Sequence, residues 1–204
     1  MLEYTGERVI PELMKPMNGM LLEHLARYYF ALPYIRQGTV LDIACGAGYG
    51  THMVAKACKK DIDRVLGVDV DPQTVEYARR TYYHPQTAFE VHDALDPQLP
   101  DKLGTFDVVL SFETIEHVAD DRLFVDILYR LLKLGGTLVL STPFGAGRGQ
   151  PTLEPFHQHQ LTEDEFWELF TPFAEVERYY QRGVTFEKGR PGVPYPFGVA
   201  VCRK

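Results

Sequence analysis

Residues 40–50, VLDIACGAGYG, constrain the fold more than any other stretch of this 204-residue chain. The apolar residues around Asp42 read as a buried strand, and Gly46 and Gly48 read as a turn that opens a helix. Glycines at such a junction let backbone approach a ligand with no Cβ in the way, and the free amides of the helix start attract anionic groups. A plain tight connection with no ligand would use the same residues, so the segments that follow have to discriminate.

Those segments alternate. Strand candidates at 39–44, 64–69, 88–92, 106–112 and 137–142 are short, apolar and bounded by Gly, Pro or Asp. Between them, Asp71 and Pro72 supply an N-cap and a first-turn proline for a helix reaching about Thr81. Leu123, Phe124, Ile127, Leu128, Leu131 and Leu132 recur at helical spacing behind Asp120 and Asp121, with Gly135 and Gly136 placed to end that helix. Strand and helix in alternation predict an α/β fold with a mostly parallel sheet and helices on both faces. Upstream, residues 20–32 read as an amphipathic helix stopped by Pro33. Downstream, Thr162 and Glu165 form a capping box for a helix that ends before Pro172. Residues 174–181 and 197–202 then read as closing strands, with a Gly/Pro-rich loop over 183–196 between them. A chain of this length carries one such domain, expected over 1–204, with 1–38 as an N-terminal cap over the ligand edge.

The net charge of -7 gives no general attraction to phosphate backbones or anionic lipid, which disfavours nucleic acid as a partner. Arg178, Arg182, Lys188 and Arg190 form the one weakly basic stretch, and it reads as a solvated loop. Cys45, Cys58 and Cys202 are odd in number and widely spaced, so they are expected to be free thiols in a reducing, cytoplasmic setting. No run reaches the ~18 apolar residues a membrane span requires.

The acid at the end of the second strand candidate, Asp69, stands where a carboxylate can accept both hydroxyls of a ribose. NAD enzymes and S-adenosylmethionine enzymes both use that contact. The NAD fingerprint G-x-G-x-x-G, counted from Gly46, would put its third glycine at position 51, where this chain has Thr51.

Asp42-x-Ala44-x-Gly46-x-Gly48 resembles the first motif of the class I S-adenosylmethionine-dependent methyltransferases, D/E-x-G-x-G-x-G, with Ala44 in place of the first glycine. The resemblance continues through Asp69 and Val70, through Asp93 and Ala94, where the family places an acid on the adenine amino group, and through the FETIEHV run after the fourth strand, covering residues 38–145. It implies a Rossmann-like sheet of seven strands with the last one antiparallel. It also implies a donor-binding core over 39–145 and an acceptor-side segment with closing strands over 146–204. On this reading Asp42, Ala44, Gly46, Gly48, Asp69, Val70, Asp93 and Ala94 hold S-adenosylmethionine, and Arg27 binds the donor's carboxylate. For Arg27, a surface arginine on a helix is the plainer alternative.

Glu113, Glu116 and His117 stand at i, i+3 and i+4, one face if the segment turns helically. The same E-x-x-E-H pattern is similar to that of ubiquinone-pathway O-methyltransferases and small-RNA terminal 2′-O-methyltransferases, where it holds a divalent cation beside the acceptor hydroxyl. That resemblance implies Glu113 and His117 as catalytic groups and Glu113, Glu116, His117 and His159 as ligands of Mg²⁺ or Mn²⁺, with His157 pointing the same way as His159. Two histidines would pull the preference toward iron, cobalt or zinc. A helix start with a locally packed histidine explains the same residues without a metal.

The expected activity is methyl transfer to an oxygen, less readily a nitrogen, of a small or medium-sized acceptor. An RNA 2′-O-methyltransferase, an NAD-dependent oxidoreductase and a non-catalytic donor-binding protein are the alternatives. The first residues, with Tyr4, Glu7 and Arg8, are a candidate lid over the donor. Tyr179, Tyr180, Phe186, Tyr195 and Phe197 are candidates for an acceptor pocket or for core.

Overall fold

The computed structural model describes residues 8–152 and 154–204. Tyr4 and Glu7 of the expected lid lie outside the described residues. The first helix, α1 (Gly19–Ala31), starts where Asn18 accepts the Leu21 amide and ends just short of Pro33. Then come β1 (Gly38–Ile43), α2 (Tyr49–Ala57), β2 (Ile62–Asp69), α3 (Pro72–Thr81), β3 (Thr87–Val91), α4 (Leu99–Leu103), β4 (Phe106–Phe112), α5 (Asp121–Leu131) and β5 (Leu132–Pro143). The chain closes with α6 (Glu163–Glu168), β6 (Glu175–Arg182), β7 (Thr185–Glu187) and β8 (Phe197–Arg203).

The sheet has eight strands in the order β3-β2-β1-β4-β5-β8-β6-β7. β1 to β5 run parallel, and β8 is antiparallel to both β5 and β6. The expected antiparallel last strand is present, but the expected count of seven is one too few. The extra strand, β7, lies in the stretch read as loop: Gly183, at φ 58°, turns the chain between Arg182 and Thr185, which pair directly. Three residues carry too little periodicity to be seen in sequence. α5 also stops at Leu131 rather than at Gly135, because the chain enters β5 at once.

Alternation along the strands sorts the core. Leu41, Ile43, Val109, Leu138 and Leu140 face α5 and α6, while Val40, Val65, Leu110 and Val139 face α1 and α2. Helices on both faces leave the C-terminal ends of β1, β2 and β4 as the open edge, the usual place for a ligand in this architecture. No helix among the described residues is long and apolar enough to cross a membrane. The three cysteines are buried free thiols.

Candidate active site

The turn after β1 is set by three left-handed residues: Ala44 at φ 53°, Gly46 at 55° and Gly48 at 90°. A side chain at Gly48 would put its Cβ 2.6 Å from that of Ala78 and 2.9 Å from the Phe89 ring, so the close approach of α3 and β3 excludes one. Gly46 faces open space, and its amide donates to Asp69 Oδ2 at 3.0 Å. Asp69 Oδ1 accepts the Asp71 amide at 3.0 Å, so the acid is held by two backbone groups, and burial raises its pKa. Asp42 does not line the cleft. It is buried, accepts Thr51 Oγ1 at 2.6 Å and the Tyr28 hydroxyl at 3.1 Å, and so ties β1 to α2 and α1. Burial pushes its pKa up to about 7 against those hydrogen bonds. Thr51, at the position where an NAD turn wants glycine, is the residue that locks Asp42.

Beyond the turn lies a cleft with two arms. One, of about 440 Å³, is walled by Asp69, Val70, His92, Asp93, Ala94, Leu95 and Val118. The other, of about 540 Å³, runs past Gly46, Tyr49, Phe112, Phe156, His24 and Arg8. Ala44, Asp69, Val70, Glu113 and His117 belong to both, so the arms meet there. Asp93 is steadied by the Leu95 amide at 2.8 Å. Arg8, the described part of the expected lid, sits at the mouth and pairs with Asp71 at 3.2 Å. His24 was missed in the sequence, where nothing distinguishes it from a surface position on α1. Burial and the nearby Arg27 push its pKa down to about 3, so it presents a neutral imidazole.

The acids after β4 do not share a helical face. Glu113 is left-handed, at φ 51°, and only Ile115–His117 form a 3-10 turn. The kink sends Glu113 back into the protein, where Ser141 Oγ donates to Oε1 at 2.9 Å and Arg27 Nη2 lies 3.5 Å from Oε2. Burial raises the Glu113 pKa and Arg27 opposes it. Arg27 is not the surface arginine of the plainer alternative. It is 1% exposed and does not line the cleft. Glu116 is also buried, accepts Thr142 Oγ1 at 3.2 Å, and has its pKa pushed far up by burial and then by Glu113.

Among the described residues, Glu116, His117 and His157 bring ligand atoms within 4.8 Å of one another. Glu113 and His159 stand outside that set. His117 and His157 meet edge to face at 4.8 Å, and His117 Nδ1 contacts the Phe156 carbonyl at 3.1 Å. The amides of Gln158 and His159 both point at the Glu116 carbonyl, at 2.8 and 3.4 Å, which fixes this loop against the 3-10 turn, with His159 buried and His157 half-buried. Of the aromatic candidates, Tyr180 and Tyr195 are core residues stacked at 4.4 Å, and Phe186 stacks on Phe30. None of the five lines the cleft. A third cavity, between α5 and residues 168–173, contains none of these groups.

A family model described as a methyltransferase domain matches residues 41–140. A relative from Mycolicibacterium smegmatis, named "Probable S-adenosylmethionine-dependent methyltransferase", is 36% identical over 181 residues, 86% of this chain and 66% of its own length. The chain belongs to the class I S-adenosylmethionine-dependent methyltransferases. It spans 62–66% of the length of this relative and of a Mycobacterium tuberculosis relative, which is 35% identical. Among solved structures, a TehB-like S-adenosylmethionine-dependent methyltransferase from Corynebacterium glutamicum is similar at 26% identity and a TM-score of 0.63, over 88% of this chain and 86% of that one. The N-methyltransferase NodS from Bradyrhizobium japonicum, solved with S-adenosyl-L-homocysteine, shares the fold at 18% identity and a TM-score of 0.66, over 93% and 89%.

Proposed function

We propose that this methyltransferase-family chain binds S-adenosylmethionine in the two-armed cleft and transfers its methyl group to an oxygen, less readily a nitrogen, of a small or medium-sized acceptor. The observation that carries the reading is the meeting of the two arms at Ala44, Asp69 and Glu113. One arm has the acids suited to a nucleoside, Asp69 and Asp93, and the other runs past Gly46, whose lack of a side chain leaves room for an amino-acid portion. Glu113 lies between them as the proton-accepting group.

Methyl transfer from a sulfonium breaks one C–S bond and forms one bond to the acceptor, and the electron pair stays on sulfur. Alignment supplies much of the rate. A hydroxyl acceptor also has to lose a proton. Glu113, raised by burial yet ionisable beside Arg27, is placed to take it. The negative cleft, with Asp69, Asp93 and Glu113 on its walls, favours neutral or cationic acceptors over anionic ones.

The Glu116, His117 and His157 set favours a metal-assisted form of the same reaction. One carboxylate and two imidazoles, with ligand atoms within 4.8 Å of one another, suit manganese, iron, cobalt or zinc better than magnesium. A bound divalent cation would supply Lewis acidity that eases loss of the acceptor's proton.

Titration with S-adenosylhomocysteine and with NAD tests the donor assignment: tight binding of the first and none of the second is expected, and the reverse order would refute it. For the metal, turnover on a panel of phenols, catechols and amines should fall on chelation and return with added Mn²⁺, the response being lost in Glu116→Gln. Full activity in chelator would remove the ion from the mechanism.

A further inference from the structure

Arg27 has a different task from the one its position on the first helix suggests. Its guanidinium lies among two strands and the bend after a third: Nε donates to Gln181 Oε1 of β6 at 2.7 Å, the Phe197 ring of β8 lies 4.8 Å from its carbon, and Nη2 is 3.5 Å from Oε2 of Glu113, just after β4. Gln181 and Phe197 face each other across β6 and β8, so one register position presents both to Arg27. Gln181 is itself fully buried and has no freedom to turn. Its amide nitrogen donates to the Glu23 carbonyl at 3.1 Å and to the Gly183 carbonyl at 2.7 Å, which forces its oxygen toward Arg27.

The result is a chain of fixed groups, from two backbone carbonyls through Gln181 and Arg27 to Glu113, with Ser141 holding the other carboxylate oxygen. Glu113 needs such a clamp, because its left-handed backbone is strained and persists only where the surroundings over-determine it. Arg27 itself lines neither arm of the cleft and reaches it through Glu113.

We propose that Arg27 and Gln181 are positioning residues that fix the Glu113 carboxylate at the junction of the arms, where it attracts the sulfonium of the donor, and that Arg27 does not itself hold the donor's carboxylate. This rests on the donor reading above. A fixed negative charge there favours the charged sulfonium over a neutral thioether.

S-adenosylmethionine and S-adenosylhomocysteine share the amino-acid carboxylate and differ in the charge on sulfur, so their affinity ratio isolates this role without an acceptor. Arg27→Lys keeps the buried charge and loses the fork that bridges Gln181 and Glu113. Calorimetric titration should show the preference for S-adenosylmethionine reduced by about three- to tenfold, and the same substitution should shift the ratio by less than about twofold in a Glu113→Gln background. An equal loss for both ligands that persists in Glu113→Gln means that Arg27 grips the carboxylate directly, and overturns the proposal. Gln181→Met, which leaves Arg27 in place, serves if the lysine variant does not fold: a smaller shift of the same sign, absent in Glu113→Gln, is expected, and an unchanged ratio overturns the proposal. Failure of the unaltered chain to bind either ligand overturns the donor reading itself.

Discussion

The two ends of the cleft are built by different means. On the side of β1 and β2, backbone does the work: the Gly46 amide, the Asp71 amide and the Leu95 amide hold the acids, and each comes from an element end or from the turn beside it. On the side of β4 and β5, side chains hold side chains, as Ser141 and Arg27 hold Glu113, Thr142 holds Glu116, and His157 arrives on the long segment after β5. A ligand site made of backbone can serve any sequence that keeps the turn. A site made of side chains and loops can be altered one residue at a time, which would suit the half proposed to receive the acceptor.

The largest test of that contrast lies at Asp42, the buried anchor behind the backbone-built half. An acid whose pKa is raised to about 7 from 3.8 holds a proton in the folded state that the unfolded chain has lost. Stability therefore falls as pH rises from about 4 to about 7, and the cost is complete above that window. Asp42→Asn removes the titration while keeping partners for Tyr28 and Thr51. Its stability relative to the unaltered chain should improve between pH 4 and pH 8, by on the order of 3 kcal/mol. Urea denaturation across that range measures it, and parallel curves for the two proteins would show that Asp42 is not the neutral anchor described.

Asp69 separates the halves by function. Asp69→Ala loses hydrogen bonds to an ionised acceptor worth about 1.5–3 kcal/mol, so S-adenosylhomocysteine should bind roughly 10- to 150-fold more weakly. His157→Ala, in the other half, should leave that affinity within about twofold, because contacts in separate regions act independently. Equal losses in both variants would mean that the cleft is one coupled unit rather than two.

The same contrast explains what could be read from the chain alone. Asp42, Gly46, Gly48, Asp69 and Asp93 lie within a run of 52 residues, from 42 to 93, and each lies in or just after a recognisable strand, so spacing was enough to single them out, although Asp42 turns out to be a buried anchor and not a wall of the cleft. The side of β4 and β5 joins residues with no such regularity: Arg27 meets Gln181 across 154 positions, and no local pattern marks a glutamine on a closing strand as a partner for a helix arginine. The i, i+3, i+4 reading of Glu113, Glu116 and His117 assumed a regular helix, and the left-handed backbone at Glu113 removes that assumption. His157 and His159 could not be ranked in the sequence for a related reason: contact with the Glu116 carbonyl, not strand alternation, sets the loop, burying His159 and leaving half-buried His157 beside Glu116 and His117.

Two residues other than glycine adopt left-handed backbone among those described, one in each half: Ala44 and Glu113. The conformation costs a residue with a Cβ roughly 1–2 kcal/mol, and a glycine would recover that at an entropic cost of roughly 0.5–1 kcal/mol in the unfolded chain. Ala44→Gly, which restores the family's glycine, should therefore raise stability by about 0.5–1 kcal/mol and leave S-adenosylhomocysteine binding unchanged or slightly tighter. Glu113→Gly relieves the same backbone strain but strips Arg27 and Ser141 of their partner, leaving a buried cation uncompensated, so its net effect should be destabilising. Thermal melts of the two variants side by side give opposite signs if strain at Ala44 is incidental and strain at Glu113 is held by its partners. A gain in both would mean that the clamp on Glu113 contributes nothing, and the distinction between the two halves would then rest on the donor side alone.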